Sequence, residues 1–237
     1  MQLPRKIDPC PIIDALLEIR FLAQIPPNAV YGVLYNALKE YYPETSDLPL
    51  LQLPEPIRRA DPNFRFKPLY KAQNDKYVLQ IGPDVVTISS YPKYVGWSDY
   101  SVEIMRVLKV LRDLGFVKSI VRVGYHVVNF FEENIYPKTK LTIAIGGKEI
   151  EYNNTIFKTT ADDSAAGIRT VLQVSNEARF NNKPGSIIDM DSFSTRRLSA
   201  LSDVSEDLIV SLHIAEKKAF FELLSDEYLR TLKPEFE

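Results

Sequence analysis

Cysteine is almost missing from this sequence. Cys10 is the single one in 237 residues, which excludes an intrachain disulfide and any multi-cysteine zinc site within one chain. Long apolar runs are missing too. None approaches the roughly 18 residues of a membrane-crossing helix, and the opening MQLPRKIDPCPIID has no apolar centre of the kind a secretory signal needs. Charge of one sign is not in excess: the formal net charge is −2 and the pI about 5.8, so no global field favours nucleic acid or an anionic membrane. Catalytic signatures are lacking as well. There is no G-x-S-x-G nucleophile turn, no G-x-G-x-x-G or G-K-[ST] phosphate loop, and no H-x-H or H-E-x-x-H metal pattern. A glycine- or serine-rich linker is also absent, so one compact unit is expected. These absences predict a cytoplasmic protein with no membrane span and no implied cofactor. At 45% apolar and 25% charged residues, the composition argues against disorder of the whole chain.

What is present is pattern. In residues 76–90, KYVLQIGPDVVTISS, Tyr77, Leu79 and Ile81 alternate with more polar neighbours, Gly82-Pro83-Asp84 interrupts, and Val86 and Ile88 resume the alternation. Period-two spacing on both sides of such a turn predicts a β-hairpin with one buried face. Residues 97–114 carry apolar side chains at helical spacing (Trp97, Tyr100, Ile104, Met105, Leu108, Leu111), and Gly115 is placed to end that helix in the left-handed region. Upstream, residues 12–23 read as a strand, with a helix as runner-up because Ala-Leu-Leu-Glu suits both. Pro26-Pro27-Asn28 opens a helix that reaches about Tyr42, with Val30, Leu34, Ala37, Leu38 and Tyr41 on one face. Residues 43–63 hold five prolines and read as a long connection with a one-turn helix near 55–59. A strand is expected over 64–72.

Residues 117–131 read as a long strand. Two hairpins are expected after it: 140–146 with 148–158 about Gly146-Gly147, and 168–180 with 186–193 across 181–185. The polar TADDSAAG at 160–167 reads as a turn between them. A final helix spans about 206–224, N-capped by Ser205, with Leu208, Leu212, Ala215, Ala219, Phe220 and Leu223 inward. The order predicts an α+β fold, mainly antiparallel sheet packed against three long helices. Each half is a set of strands closed by one long helix. Two similar β-α modules are therefore expected, residues 1–116 and 117–237, packed as one unit with one fused sheet or two.

At this point the chain resembles a known group. Leu3, Pro4, Lys6, Pro11, Ile12, Ala15, Glu18, Ile19, Arg20 and Phe21 carry an L-P-x-K-x-x-x-x-P-I-x-x-A-x-x-E-I-R-F type of opening, with the lead lysine following Arg5. The runs at 57–63 (IRRADPN), 80–83 (QIGP) and 185–191 (GSIIDMD), with the Gly96-Trp97 pair, extend the likeness over most of the chain. The pattern is similar to an uncharacterised bacterial family of comparable length and sporadic distribution. That resemblance brings no activity, cofactor or site residue. Sporadic distribution is similar to that of accessory genes, such as defence or toxin–antitoxin components.

Three constellations bear on function. Arg58, Arg59, Arg65, Lys67, Lys71 and Lys76 face only Asp61 and Asp75 between residues 56 and 76, with Phe64, Phe66 and Tyr70 interleaved. Arginine beside aromatic rings grips phosphates and stacks bases; a half-buried strand with a solvated face gives the same pattern. Asp189 and Asp191 alternate in IIDMD, so both leave one face of a strand, where two carboxylates with a third oxygen suit Mg²⁺ or Ca²⁺. Solvated carboxylates near a sheet end are the plainer account, and it serves Asp162 and Asp163 as well. His126 in mid-strand and His213 in the last helix have no marked nucleophile to serve and read as structural. Beyond Ser202, acidic residues (Asp203, Glu206, Asp207, Glu216, Glu222, Asp226, Glu227, Glu235, Glu237) outnumber basic ones, which reads as a solvated helix face or a surface for a basic partner.

The resulting expectation is a non-enzymatic binding protein that self-associates or takes a protein partner through sheet edges or helices. Its warrant is the split charge and the 11% aromatic content. Two alternatives stand beside it: nucleic-acid binding through Arg58, Arg59, Arg65 and Lys67, and a metal-dependent hydrolase on Asp189 and Asp191.

Overall fold

In a computed structural model that describes residues 3–236, the chain forms an α+β structure around one large antiparallel sheet. The first strand, β1 (Ile12–Ala23), leads into helix α1 (Ala29–Leu38) and a short strand β2 (Glu44–Asp47). Helix α2 (Glu55–Ala60) lies between two 3-10 turns. Strands β3 (Tyr70–Gln73), β4 (Tyr77–Gly82) and β5 (Val85–Ser90) follow, then helix α3 (Trp97–Leu114). The second half opens with β6 (Val117–Phe131), adds a small hairpin of β7 (Ala144–Ile145) and β8 (Lys148–Glu149), and continues with β9 (Ile156–Asp163), β10 (Ile168–Phe180) and β11 (Lys183–Ser194). Helices α4 (Glu206–Leu223) and α5 (Asp226–Thr231) close the chain.

The nine-stranded sheet runs β2-β3-β4-β5-β1-β6-β11-β10-β9, with every pair antiparallel. Its halves repeat one plan: the first strand of each (β1, β6) pairs with the last strand of its own half (β5, β11). β1 and β6 then pair with each other and make one sheet of the two sets. The reason is in the alternation. Ala15, Leu17, Ile19 and Phe21 of β1 are fully buried beneath the helices, with Val123, Tyr125 and Val127 of β6 beside them. Leu34 and Leu38 of α1 and Ile104, Leu108 and Leu111 of α3 fill the layer above. A second cluster sets Phe220, Phe221 and Leu224 on Val174, Ile188 and Met190. The three long helices thus cover one face of the sheet, and Asp14, Glu18, Arg20, Arg122, His126, Asp189 and Asp191 share the other. Among the described residues no helix is long and apolar enough to cross a membrane.

Several elements fall where periodicity puts them: β1, α3 and β6 keep their expected bounds, Gly115 has φ +65°, and Ser205 Oγ accepts from the Leu208 amide. Others differ. The strand expected over 64–72 shrinks to β3, because Pro62–Phe64 coil into a 3-10 turn and Arg65 to Pro68 cross over the end of β4. Gly82 is the contact point: a Cβ there would lie 2.6 Å from the Lys67 carbonyl oxygen. Strand β5 is buried along its whole length rather than on one face. In α1, Ala37 and Tyr41 face solvent, and Tyr42 turns in instead. The expected strand 148–158 breaks, and β9 runs through the TADD of the expected turn. The β10–β11 turn tightens to Asn181-Asn182, both at positive φ, so Lys183 to Gly185 belong to β11. Residues 3–11 are tied to the end of the chain: the Asp8 amide donates to Leu232, Arg5 and Lys6 pair with Glu235, and Ile7 is buried. Glu216, expected on a solvated face, is buried, and Glu237 lies outside the described residues.

Candidate functional site

The four basic residues singled out in the sequence reach one place. Arg58 and Arg59 come from α2, Arg65 from the end of the second 3-10 turn, and Lys67 from the segment that crosses β4. All four line a cavity of about 470 Å³ at the β2 side of the sheet, together with Tyr31, Phe64 and Tyr70. Tyr31 and Tyr70 are stacked with centroids 4.0 Å apart, and Tyr35 extends the stack at 5.6 Å from Tyr31. Burial raises the Tyr31 pKa above its ordinary value.

The cations differ in how they are held. The Arg58 Nε donates to the Leu53 carbonyl at 2.9 Å, and Arg59 pairs with Glu55 one helical turn back. Arg65 stands 3.8 Å from Asp84 and 4.9 Å above the Phe66 ring. Burial raises the Asp84 pKa, and Arg65 opposes that rise. The Lys67 ammonium has no hydrogen bond or ion pair among the described residues. Four cations against Glu55 and Asp84 leave an excess of two positive charges on the walls. The sequence missed Tyr31 and Asp84, which stand 36 residues to one side and 17 to the other of Lys67; only the fold brings them in.

Asp189 and Asp191 do leave one face of β11, the face without helices, and each is engaged there. Both oxygens of Asp191 accept from Arg122 Nη2 at 2.6 Å, while Arg122 Nη1 donates to Glu18 at 2.6 Å. The guanidinium lies over Gly124 of its own strand, where a Cβ would come within 2.6 Å of it, and 4.5 Å over the Phe193 ring. Arg20 adds a contact to Glu18 at 2.8 Å. Asp189 Oδ1 lies 2.7 Å from His126 Nε2. Burial pulls the His126 pKa down, but the bond to Asp189 and the charges of Asp189, Asp191 and Asp14 outweigh it and leave the pKa raised. This is a row of ion pairs across three strands, half-sheltered from solvent. Among the described residues, no group of three or more His, Cys, Asp or Glu has the geometry to hold a metal ion. His126 is thus held by its hydrogen bond to Asp189, and His213 of α4 stacks on Trp97.

No family model and no curated protein matches the chain. A solved structure it is similar to is the substrate-free duplicated taurocyamine kinase from Schistosoma mansoni, at 13% identity and a TM-score of 0.42. The match covers 89% of this chain and 33% of that one, so the chain spans about a third of that neighbour's length. A likeness at that level carries no functional argument.

Proposed function

We propose that the chain is a non-enzymatic binding protein of accessory type whose basic cavity takes a nucleotide unit, a phosphate joined to a flat base. The observation that carries this reading is the convergence of Arg58, Arg59, Arg65 and Lys67 on one cavity walled by Tyr31, Phe64 and Tyr70. Guanidinium forks suit phosphate oxygens, and base stacking on aromatic rings is worth about 1–3 kcal/mol per base. At about 470 Å³ the cavity falls within the size range of ligand sites. A labelled single-stranded oligonucleotide and free nucleoside monophosphates, titrated separately by anisotropy and competition, distinguish a strand from a free nucleotide. Binding should weaken by about 0.7 log units per phosphate contacted for each tenfold rise in salt. It should fall by about tenfold or more in the Arg58→Glu/Arg59→Glu variant. Salt-independent binding, or no change in that variant, refutes the reading.

A second reading, a protein partner or a second copy added along a sheet edge, rests on β9. Among the described residues this eight-residue strand pairs only with β10, and Ile156 on it is 62% exposed. Edges of that length invite strand addition. Sedimentation should show a dimer that Ile156→Lys dissociates; a monomer at all concentrations removes self-association.

A further inference from the structure

A second cavity, of about 290 Å³, lies between α4 and the junction of the N-terminal segment with residues 94–97. Its inner walls are rings: Tyr94, Trp97, Tyr125, His213 and Phe220. Trp97 stacks on His213 at 3.7 Å and meets Tyr125 edge-on at 5.6 Å. Among these rings stands one carboxyl group, Glu216, only 5% exposed. Its oxygens accept no hydrogen bond among the described residues. The positive groups that reach it are its chain neighbour Lys217 and His126 across the sheet. His213 Nδ1 is likewise buried without a partner. Arg5, Lys6 and Lys217 line the cavity as well; Arg5 and Lys6 are already paired with Glu235 at 3.3 and 3.0 Å.

The same fold shows how this chain buries a carboxyl group for structural ends. Glu103 of α3 is 3% exposed, accepts from the Tyr42 hydroxyl at 2.5 Å and pairs with Arg106 at 2.7 Å. Glu216 has no such partners and faces an open cavity instead. A buried acid left unbonded among aromatic rings costs stability, and a positively charged guest removes that cost. The guest forms an ion pair with the carboxylate and is drawn to the ring faces as well.

We infer that this cavity is a binding site for a small organic ammonium carried on a flat apolar body, with Glu216 as its counter-ion and Trp97, Tyr94 and Tyr125 as its walls. The inference is independent of the basic cavity, with which this one shares no lining residue. Burial pushes the Glu216 pKa up to about 8. The empty site is therefore mostly protonated at neutral pH, and each ammonium that binds displaces one proton to the buffer.

Trp97 is the only tryptophan in the chain, so its fluorescence reads the cavity directly. Three probes with one ring and three charges decide the matter: benzylamine, benzyl alcohol and benzoate. Benzylamine should perturb Trp97 and bind at least about tenfold tighter than the other two, and Glu216→Gln should erase that preference. Calorimetry of the unaltered protein in two buffers of different ionisation enthalpy should show about one proton released per amine bound. That measurement needs no variant. Equal binding of the three probes, tighter binding of benzoate, no response of Trp97 to any of them, or amine binding without proton release each overturns the assignment.

Discussion

Replacing Glu216 by Gln should make the protein more stable, and only above a definite pH. Glu216 is 5% exposed and has no hydrogen bond among the described residues, and burial raises its pKa from 4.5 to about 8. In the folded protein it therefore keeps its proton through a range where the unfolded chain has lost it. The folded state binds more protons between pH 4.5 and 8, so stability falls as pH rises across that window and levels off above it. A rise from 4.5 to about 8, at 1.36 kcal/mol per pH unit, comes to about 5 kcal/mol; relaxation and water entry reduce this, and about 2–5 kcal/mol is expected. Glutamine cannot ionise and keeps nearly the same shape. The two proteins should thus agree below pH 4.5 and separate steadily to pH 8, with the variant the more stable. His213 titrates in both proteins and cancels from the difference. Urea unfolding followed by Trp97 fluorescence from pH 4 to 9 measures the gap. A gap that stays constant with pH would refute the claim that this carboxyl is held neutral by burial.

Further consequences follow from other contacts. Burial lowers the His213 pKa from 6.5 to about 3, so its contribution is present above pH 6.5 and lost as pH falls towards 3. His213→Phe keeps the stack on Trp97 and removes the orphaned Nδ1, so the acid limb of the stability curve should flatten, with a gain of about 1 kcal/mol at neutral pH. Gly82→Ala drives a Cβ to 2.6 Å from the Lys67 carbonyl oxygen, which is backbone and cannot swing aside. Thermal unfolding should show a loss of about 1–3 kcal/mol, and nucleotide affinity should fall with it because Lys67 is displaced. Arg122→Ala leaves Glu18 and Asp191 facing each other without their shared cation, and a loss of about 2–4 kcal/mol is expected in chemical denaturation. Arg122→Met, which keeps the stem over Phe193, should cost less.

The sequence was most legible where burial has an unbroken period. β1 alternates without interruption, and α3 carries an uninterrupted stripe that ends at a left-handed glycine. Both signals come from one face meeting one core. Legibility fails where that condition fails. β9 is an edge strand exposed at every residue but Phe157, so Thr160, Asp162 and Asp163 look like a turn. Pro184 and Gly185 look like a turn for a different reason. Gly185 sits where a Cβ would come within 2.1 Å of the Phe131 carbonyl oxygen, a demand of packing that reads as loop composition. At 64–68, Phe-Arg-Phe-Lys alternates like a strand, yet Pro62 and Pro68 bracket it and it coils. The basic cluster was visible as composition all the same, because its members lie within ten residues of one another. The aromatic cavity was not visible. Its walls come from residues 94–97, 125 and 213–220, and its acid looked like one more charge on an acidic helix.

The two buried glutamates permit one test in which chemically identical changes have opposite signs. Glu103 and Glu216 stand in helices of the same length, and each is at most 5% exposed. Glu103 is well partnered: it holds Arg106 at 2.7 Å and accepts from Tyr42, whose own pKa burial and the nearby Glu103 carboxyl both raise. Glu103→Gln keeps the shape but loses a charge-assisted bond and half of an ion pair. At pH 9 it should cost about 1–3 kcal/mol, moderated because Arg106 is 42% exposed and regains water. Glu216→Gln at the same pH should instead stabilise, because a buried carboxylate with no hydrogen-bond partner among the described residues is removed. Stability measured for both variants under one condition therefore separates structural from receptive burial without any ligand in hand. If both substitutions destabilise at pH 9, Glu216 has a partner in solution that serves it as Arg106 serves Glu103, and the cavity has no unpaired charge to offer an ammonium.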